Sequence, residues 1–200
     1  MRAAGGVTLR LCVVLMSALV VVSAYAGEHG IWGVEALMAA RRQVKSASAT
    51  FVEHKYLRML MQRIESSGTL RYEAPDWMQK VTTKPTPETF ELRGDTVSSI
   101  QRDGQRFTAA LGEHPEIAAL VEAMRSTLAG DLVTLLQHYT VEFQGNRDSW
   151  HLHLTPKQHL VSEKVSNIVI SGSLAELTVI EVYERDGDRS EMIIQSEDPR

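Results

Sequence analysis

The chain has 200 residues, 44% of them apolar, with 21 basic and 25 acidic side chains and a formal net charge of −4. This acidic balance argues against a nucleic-acid partner held by charge, and it offers no electrostatic attraction to an anionic lipid surface. A single cysteine, Cys12, excludes a disulfide framework.

The first predicted element is an export signal. Arg2 and Arg10 form a basic start, Leu11 to Val22 is an apolar run too short to span a bilayer comfortably, and Ala24-Tyr25-Ala26 is a small-x-small cleavage site. Cys12 lies inside the apolar run rather than behind small residues at its end, which argues against a lipoprotein. Cleavage after Ala26 leaves 174 residues without cysteine, in which 19 basic face 25 acidic side chains for a net charge of −6. That length suits one domain, residues 27–200, large enough to bury a core without disulfides.

Gly33 to Val44 reads as a helix, with Val34, Leu37, Arg41 and Val44 near one face. Ser46-Ala47-Ser48 ends it, and Thr50 to Leu57 reads as a strand carrying Phe51 and Tyr56. Met59, Leu60 and Met61 sit near a turn, where flexible methionines commonly fill gaps in a core. The stretch from Met61 to Leu92 then holds three alternating runs punctuated by prolines. In the first, Leu70 and Tyr72 fall on one face and Thr69, Arg71 and Glu73 on the other, the period of a half-buried strand. Ala74-Pro75-Asp76 breaks it, because proline has no ladder donor and restricts the residue before it. A second strand starts at Trp77 and a third runs from Thr89 to Leu92. Asp95 to Ile100 and Arg106 to Leu111 continue the pattern around the turn Arg102-Asp103-Gly104-Gln105.

At Pro115 the apolar period changes from 2 to 3.6. Proline suits the first helical position, and Ile117, Leu120, Val121, Met124 and Leu128 form a stripe up to a stop at Gly130. Asp131 caps a short helix bearing Leu132, Leu135, Leu136 and Tyr139. Strands return at Thr140, turn at Gly145-Asn146-Arg147-Asp148, and continue through Trp150 to Leu154, Val165 to Ile170, Leu177 to Tyr183 and Ser190 to Ile194. The expected total is nine or ten strands and three helices. That order makes an α+β fold with helices segregated to one face of an antiparallel sheet.

Chemistry is sparse. His151 and His153 share a strand face and could meet one metal ion. No third ligand stands at a motif spacing, and the alternating Trp150, Leu152 and Leu154 explain the pair as the solvent face. No nucleophile elbow, His-Glu-x-x-His or phosphate-binding glycine loop occurs. Without a cysteine after cleavage, thiol catalysis is excluded. The sequence therefore predicts no enzyme, no metal and no cofactor.

Several pieces in order resemble a known family. Ser48-Ala49-Thr50-Phe51, Gly68-Thr69-Leu70-Arg71-Tyr72-Glu73-Ala74-Pro75, Met78 through Pro85, and Leu154-Thr155-Pro156-Lys157 resemble the LolA-like periplasmic carriers of outer-membrane lipoproteins, over residues 33 to 195. The resemblance implies an incomplete antiparallel β-barrel, a half-barrel, covered by helices, with a hydrophobic space that takes acyl chains. It implies a periplasmic location, and as partners a lipoprotein or another lipidic molecule, an inner-membrane exporter and an outer-membrane acceptor. On this reading Phe51, Leu70, Tyr72, Met78, Phe90, Leu92 and Val97 line the sheet side of the cavity, and Met124, Leu128, Leu132 and Leu136 line the lid. The family carries an arginine before the strand-ending proline, tying lid to barrel. Ala74 stands there instead, so the resemblance implies that this lid closes by another contact or closes less firmly. The alternative is a periplasmic protein-binding or regulatory module on the same fold with a solid core and no lipid cargo.

Overall fold

A computed structural model describes residues 32–60 and 63–197. The expected signal segment and Met61 lie outside the described residues. One helix, α1 (Val34–Arg41), precedes six strands: β1 (Ser46–Tyr56), β2 (Ile64–Glu73), β3 (Trp77–Lys84), β4 (Glu88–Arg93), β5 (Thr96–Gln101) and β6 (Arg106–Ala110). A single 3-10 turn, Leu111–Glu113, leads into α2 (Pro115–Ala129) and α3 (Leu132–His138). Strands β7 (Tyr139–Gly145) and β8 (Trp150–Pro156), a short α4 (His159–Ser162), and strands β9 (Val165–Ser173), β10 (Glu176–Glu184) and β11 (Arg189–Ser196) complete the order.

The described residues thus hold eleven strands, more than the nine or ten expected, all in one antiparallel sheet ordered β6-β5-β4-β3-β2-β1-β11-β10-β9-β8-β7. The sheet does not close: β6 and β7 are its two edges. These edge strands are neighbours along the chain, and only the 3-10 turn, α2 and α3 lie between them. The segment that joins the edges must therefore cross the sheet, which places the helices over one face.

Register builds the covered face from residues far apart in sequence. Ala49 pairs with Leu70 and Ser196, Phe51 with Gly68 and Ile194, and Ala47 with Tyr72. Leu70 and Tyr72 pair in turn with Lys80 and Met78, and these with Phe90 and Leu92. On the other side of β1 the same face continues through Met192, Ile180 and Ile170 to Leu152. Cross-strand pairs share a face, so this is one continuous inner surface.

One strand boundary and one helix boundary near the start of the fold differ from expectation. Strand β1 begins at Ser46, so Ser46-Ala47-Ser48 belongs to the sheet rather than to the end of a helix, and α1 stops at Arg41. Pairing with β2 recruits those small residues. Helix α4 has no counterpart in the sequence reading, since four residues are too few to display a helical period. Other signals are met where expected. Pro115 opens α2, Gly130 closes it with φ 71°, and the Asp131 side chain accepts from the backbone N–H of Thr134 at 3.0 Å.

The main core sits under one half of the sheet. Trp150, Leu152, Leu154, Ile168 and Ile170 pack against Leu37 and Met38 of α1, Ala123 of α2 and Leu135 of α3, none of them more than 1% exposed. A smaller group, Leu92, Leu111 and Val121, lies under the other half.

Candidate functional site

Between these two groups the inner face is not filled. A mainly apolar cavity of about 570 Å³ lies there, within the usual range of ligand pockets, ~300–1,000 Å³. Its floor is the sheet from β10 and β11 through β1 to β4. Its roof is α2, which contributes Ile117, Leu120, Val121, Met124 and Leu128. The space exists because of side-chain size. At the centre of the floor β1 presents the small residues Ser46, Ala47, Ser48 and Ala49, with Glu53 further along, while the flanking strands present Leu70, Tyr72, Met192 and Ile194. Small residues between large ones make a trough that α2 bridges without entering.

Seven of the eleven expected residues line this cavity: Leu70, Tyr72, Met78, Phe90, Leu92, Met124 and Leu128. The other four do not. Phe51 is on the inner face but only 2% exposed. Its ring lies against Gly68, and the Lys80 ammonium sits 4.9 Å from the ring centroid, so lysine rather than phenylalanine faces the space. Val97 pairs with Leu92 and packs into the small core group beyond the cavity. Leu132 packs on the main core. Leu136, on the same short helix, is 44% exposed. The sequence reading placed both on the lid. In the fold α3 covers the filled half of the sheet, so neither reaches the cavity.

The reading also missed a large part of the lining. Ile180, Val182, Met192 and Ile194 on β10 and β11 complete the floor. Their alternation was visible, but nothing in it shows that β11 returns to pair with β1. Ala47 and Ala49 were hidden because small side chains give no apolar period.

The lining also holds polar residues, among them Arg71, Gln79 and Glu176, and two polar groupings stand out. At one, Lys80 Nζ lies 2.5 Å from Glu53 Oε2, which also accepts from Ser66 Oγ at 3.2 Å. At the other, Arg41 and Tyr72 are buried at 3% and 4% exposure. Burial pushes the Arg41 guanidinium down to about 10. Burial likewise raises the pKa of the Tyr72 hydroxyl, Arg41 lowers it, and Asp76 raises it. Loss of hydration disfavours the charged form of both groups.

The lid is tied down without an arginine at position 74. Arg41, from α1, donates through Nη2 to the Leu128 carbonyl of α2 at 3.1 Å and through Nη1 to the Ala175 carbonyl of the β9–β10 turn at 2.5 Å. Arg125, on α2, pairs with Glu122 and donates to the Gly94 carbonyl in the β4–β5 turn at 3.3 Å. The Tyr139 hydroxyl donates to the Ala119 carbonyl at 2.7 Å. The roof helix is thus held by the chain before β1, by the far hairpin and by the first residue of β7.

His151 and His153 face away from the core formed by Trp150, Leu152 and Leu154, and His151 Nδ1 lies 2.8 Å from Ser171 Oγ. Among the described residues no group of three metal-ligating side chains is assembled, and no helix is long and apolar enough to cross a membrane.

Residues 32–197 match the family described as outer membrane lipoprotein carrier protein LolA-like. No curated protein matches the chain. Among solved structures it is similar to a LolA superfamily protein from Nitrosomonas europaea, at 8% identity and a TM-score of 0.45, over 82% of this chain and 91% of that one. It is similar to a DUF1329 family protein from Desulfovibrio piger, at 12% identity and a TM-score of 0.47, over 81% and 88% of the two chains. It is also similar to MucB, solved in complex with MucA(peri), at 13% identity and a TM-score of 0.39, over 84% of this chain and 56% of that chain.

Proposed function

The chain belongs to the outer membrane lipoprotein carrier protein LolA-like family, and from that premise we propose that it is a non-enzymatic periplasmic carrier. It is exported by the segment ending at Ala26 and takes the acyl chains of a lipoprotein or another lipidic cargo, which it moves toward the outer membrane. The observation that carries this reading is the unfilled apolar space beneath α2. Well-packed interiors leave few voids larger than a water molecule, and an apolar chain gains about 0.8 kcal/mol for each methylene it buries. Leu70, Tyr72, Met78, Phe90 and Leu92 form the cargo-facing floor, and Met124 and Leu128 the roof. The lid ties are a few hydrogen bonds to backbone carbonyls. Each is worth about 1 kcal/mol, or about 1.5–3 kcal/mol where the donor is a guanidinium, and they add to the packing of Ala123 and Val121 into the two core groups.

Delipidated protein is expected to take up a fluorescent fatty-acyl probe. Leu70→Glu, which sets a carboxylate in the trough beside Lys80, should abolish uptake while the far-ultraviolet circular dichroism stays native. If the wild-type protein takes up neither the acyl probe nor a lipopeptide, the carrier reading falls and the protein-binding module takes its place.

A further inference from the structure

Six buried side-chain polar atoms among the described residues have no hydrogen-bond partner. Four of them, on Trp32, Trp77, Thr127 and Asn167, belong to residues that do not line the cavity. The remaining two, Arg41 Nε and the Tyr72 hydroxyl, belong to residues that do. Buried polar groups are almost always satisfied, and an exception calls for a physical reason. Here two exceptions stand at one cavity, and they are both able to donate.

The guanidinium is the more demanding of the two. Its two hydrogen bonds go to neutral carbonyls, of Leu128 and Ala175. A buried cation is costly unless a charge or a full set of acceptors compensates it. Burial has already pushed Arg41 down to about 10, and Tyr72 is near enough for the cation to lower its pKa. A hydroxyl hydrogen and a guanidinium N–H beside one apolar trough form a ready receptor for an anionic oxygen, since charge-assisted hydrogen bonds are the strong ones.

We propose that the cargo is an acidic amphiphile, an apolar chain ending in a carboxylate or phosphate, and that Arg41 Nε and the Tyr72 hydroxyl hold its anionic oxygens. The chain then lies over Ala47 and Ala49, beneath Met124. This rests on the carrier reading and adds to it a chemical class. It also gives Arg41 two tasks at once, since its Nη atoms hold the lid while its Nε holds the cargo. A bound anion would firm the same guanidinium that closes α2.

The test is displacement of the acyl probe by dodecanoate, dodecyl phosphate and dodecanol, which share one chain and differ in their end. Wild-type protein should be emptied by an acid at about a tenfold or more lower concentration than by the alcohol, the scale of a hydrogen bond to a charged group. The better of the two acids identifies the oxyacid. Tyr72→Phe removes a single hydroxyl and should shrink the acid-to-alcohol ratio several-fold. Arg41→Lys keeps a charge but loses Nε, and should shrink it further. Equal potency of acid and alcohol in the wild type, or a ratio unchanged in Tyr72→Phe, would overturn the proposal and leave bridging water as the partner of both groups. In that outcome probe uptake itself survives and so does the carrier reading. Absence of any probe uptake would remove both.

Discussion

The two halves of the sheet use the same devices and reach opposite results. In the half built from β7 to β9, Trp150 lies over Gly172, where a Cβ would come within 2.2 Å of the indole. In the half built from β1 to β4, Phe51 lies against Gly68, where a Cβ would come within 1.8 Å of the Val81 carbonyl oxygen. Each half thus has a ring packed over a glycine on its inner face. Around Trp150 the space is then filled by Leu37, Met38 and Leu135 from the helices. Around Phe51 it is not: Lys80 covers the ring, two alanines follow along β1, and α2 passes above. Strand period alone says which face is inward. The sizes of the residues on it, and the helix that comes down over it, decide whether that face becomes a core or a container.

The sharpest way to break this contrast is to truncate one leucine in each half. Leu152 is fully buried in the filled half, so Leu152→Ala should cost about 2–5 kcal/mol in urea denaturation. Leu70 borders space that already exists, so Leu70→Ala should cost about 1 kcal/mol, the transfer term without a new cavity. Equal losses would mean the open half is packed after all. Next in size, Ala49→Trp should fill the trough. It is expected to weaken acyl-probe binding by about tenfold or more, a change of about 1.4 kcal/mol or above, while leaving the denaturation midpoint unchanged or higher. A loss of stability without loss of binding would contradict the location of the site.

The smallest effect sharpens the comparison from the helix side. Asp131 caps α3, which serves the filled half, and its hydrogen bonds to Thr134 hold its pKa below 3.8. Asp131→Ala should therefore cost about 1 kcal/mol near neutral pH. Because the folded pKa is the lower one, that contribution is present above 3.8 and fades as pH falls through the folded value. The acyl probe should bind the variant as it binds the wild type, since α3 does not roof the cavity.

Much of this architecture is legible in the sequence. The change of period at Pro115, the cap at Asp131 and the stop at Gly130 are local signals, and local signals survive folding. Alternation in Leu70-Arg71-Tyr72 also placed the floor on its proper face. What escaped depends on chain ends meeting. The pairing of Ala49 with both Leu70 and Ser196 joins three distant stretches, and no spacing announces it. Arg41 read as one more residue of a helical face, whereas its bonds reach Leu128 and Ala175, 87 and 134 positions away. Phe51 was expected at the cavity wall because apolar residues on an inner face line whatever lies above them. Lys80, brought over it by register and held by Glu53, took that place. Small residues and buried charges carry the least periodic signal, and here they shape the site.

The most direct measurement is native mass spectrometry of the protein purified from cells that make it. The wild-type protein should carry an added mass matching an acyl-bearing molecule, and Ala49→Trp prepared the same way should carry none. If the wild type flies at the bare mass of its chain, and still does so after incubation with the envelope lipids of those cells, the cavity is not a container and its proposed role is wrong.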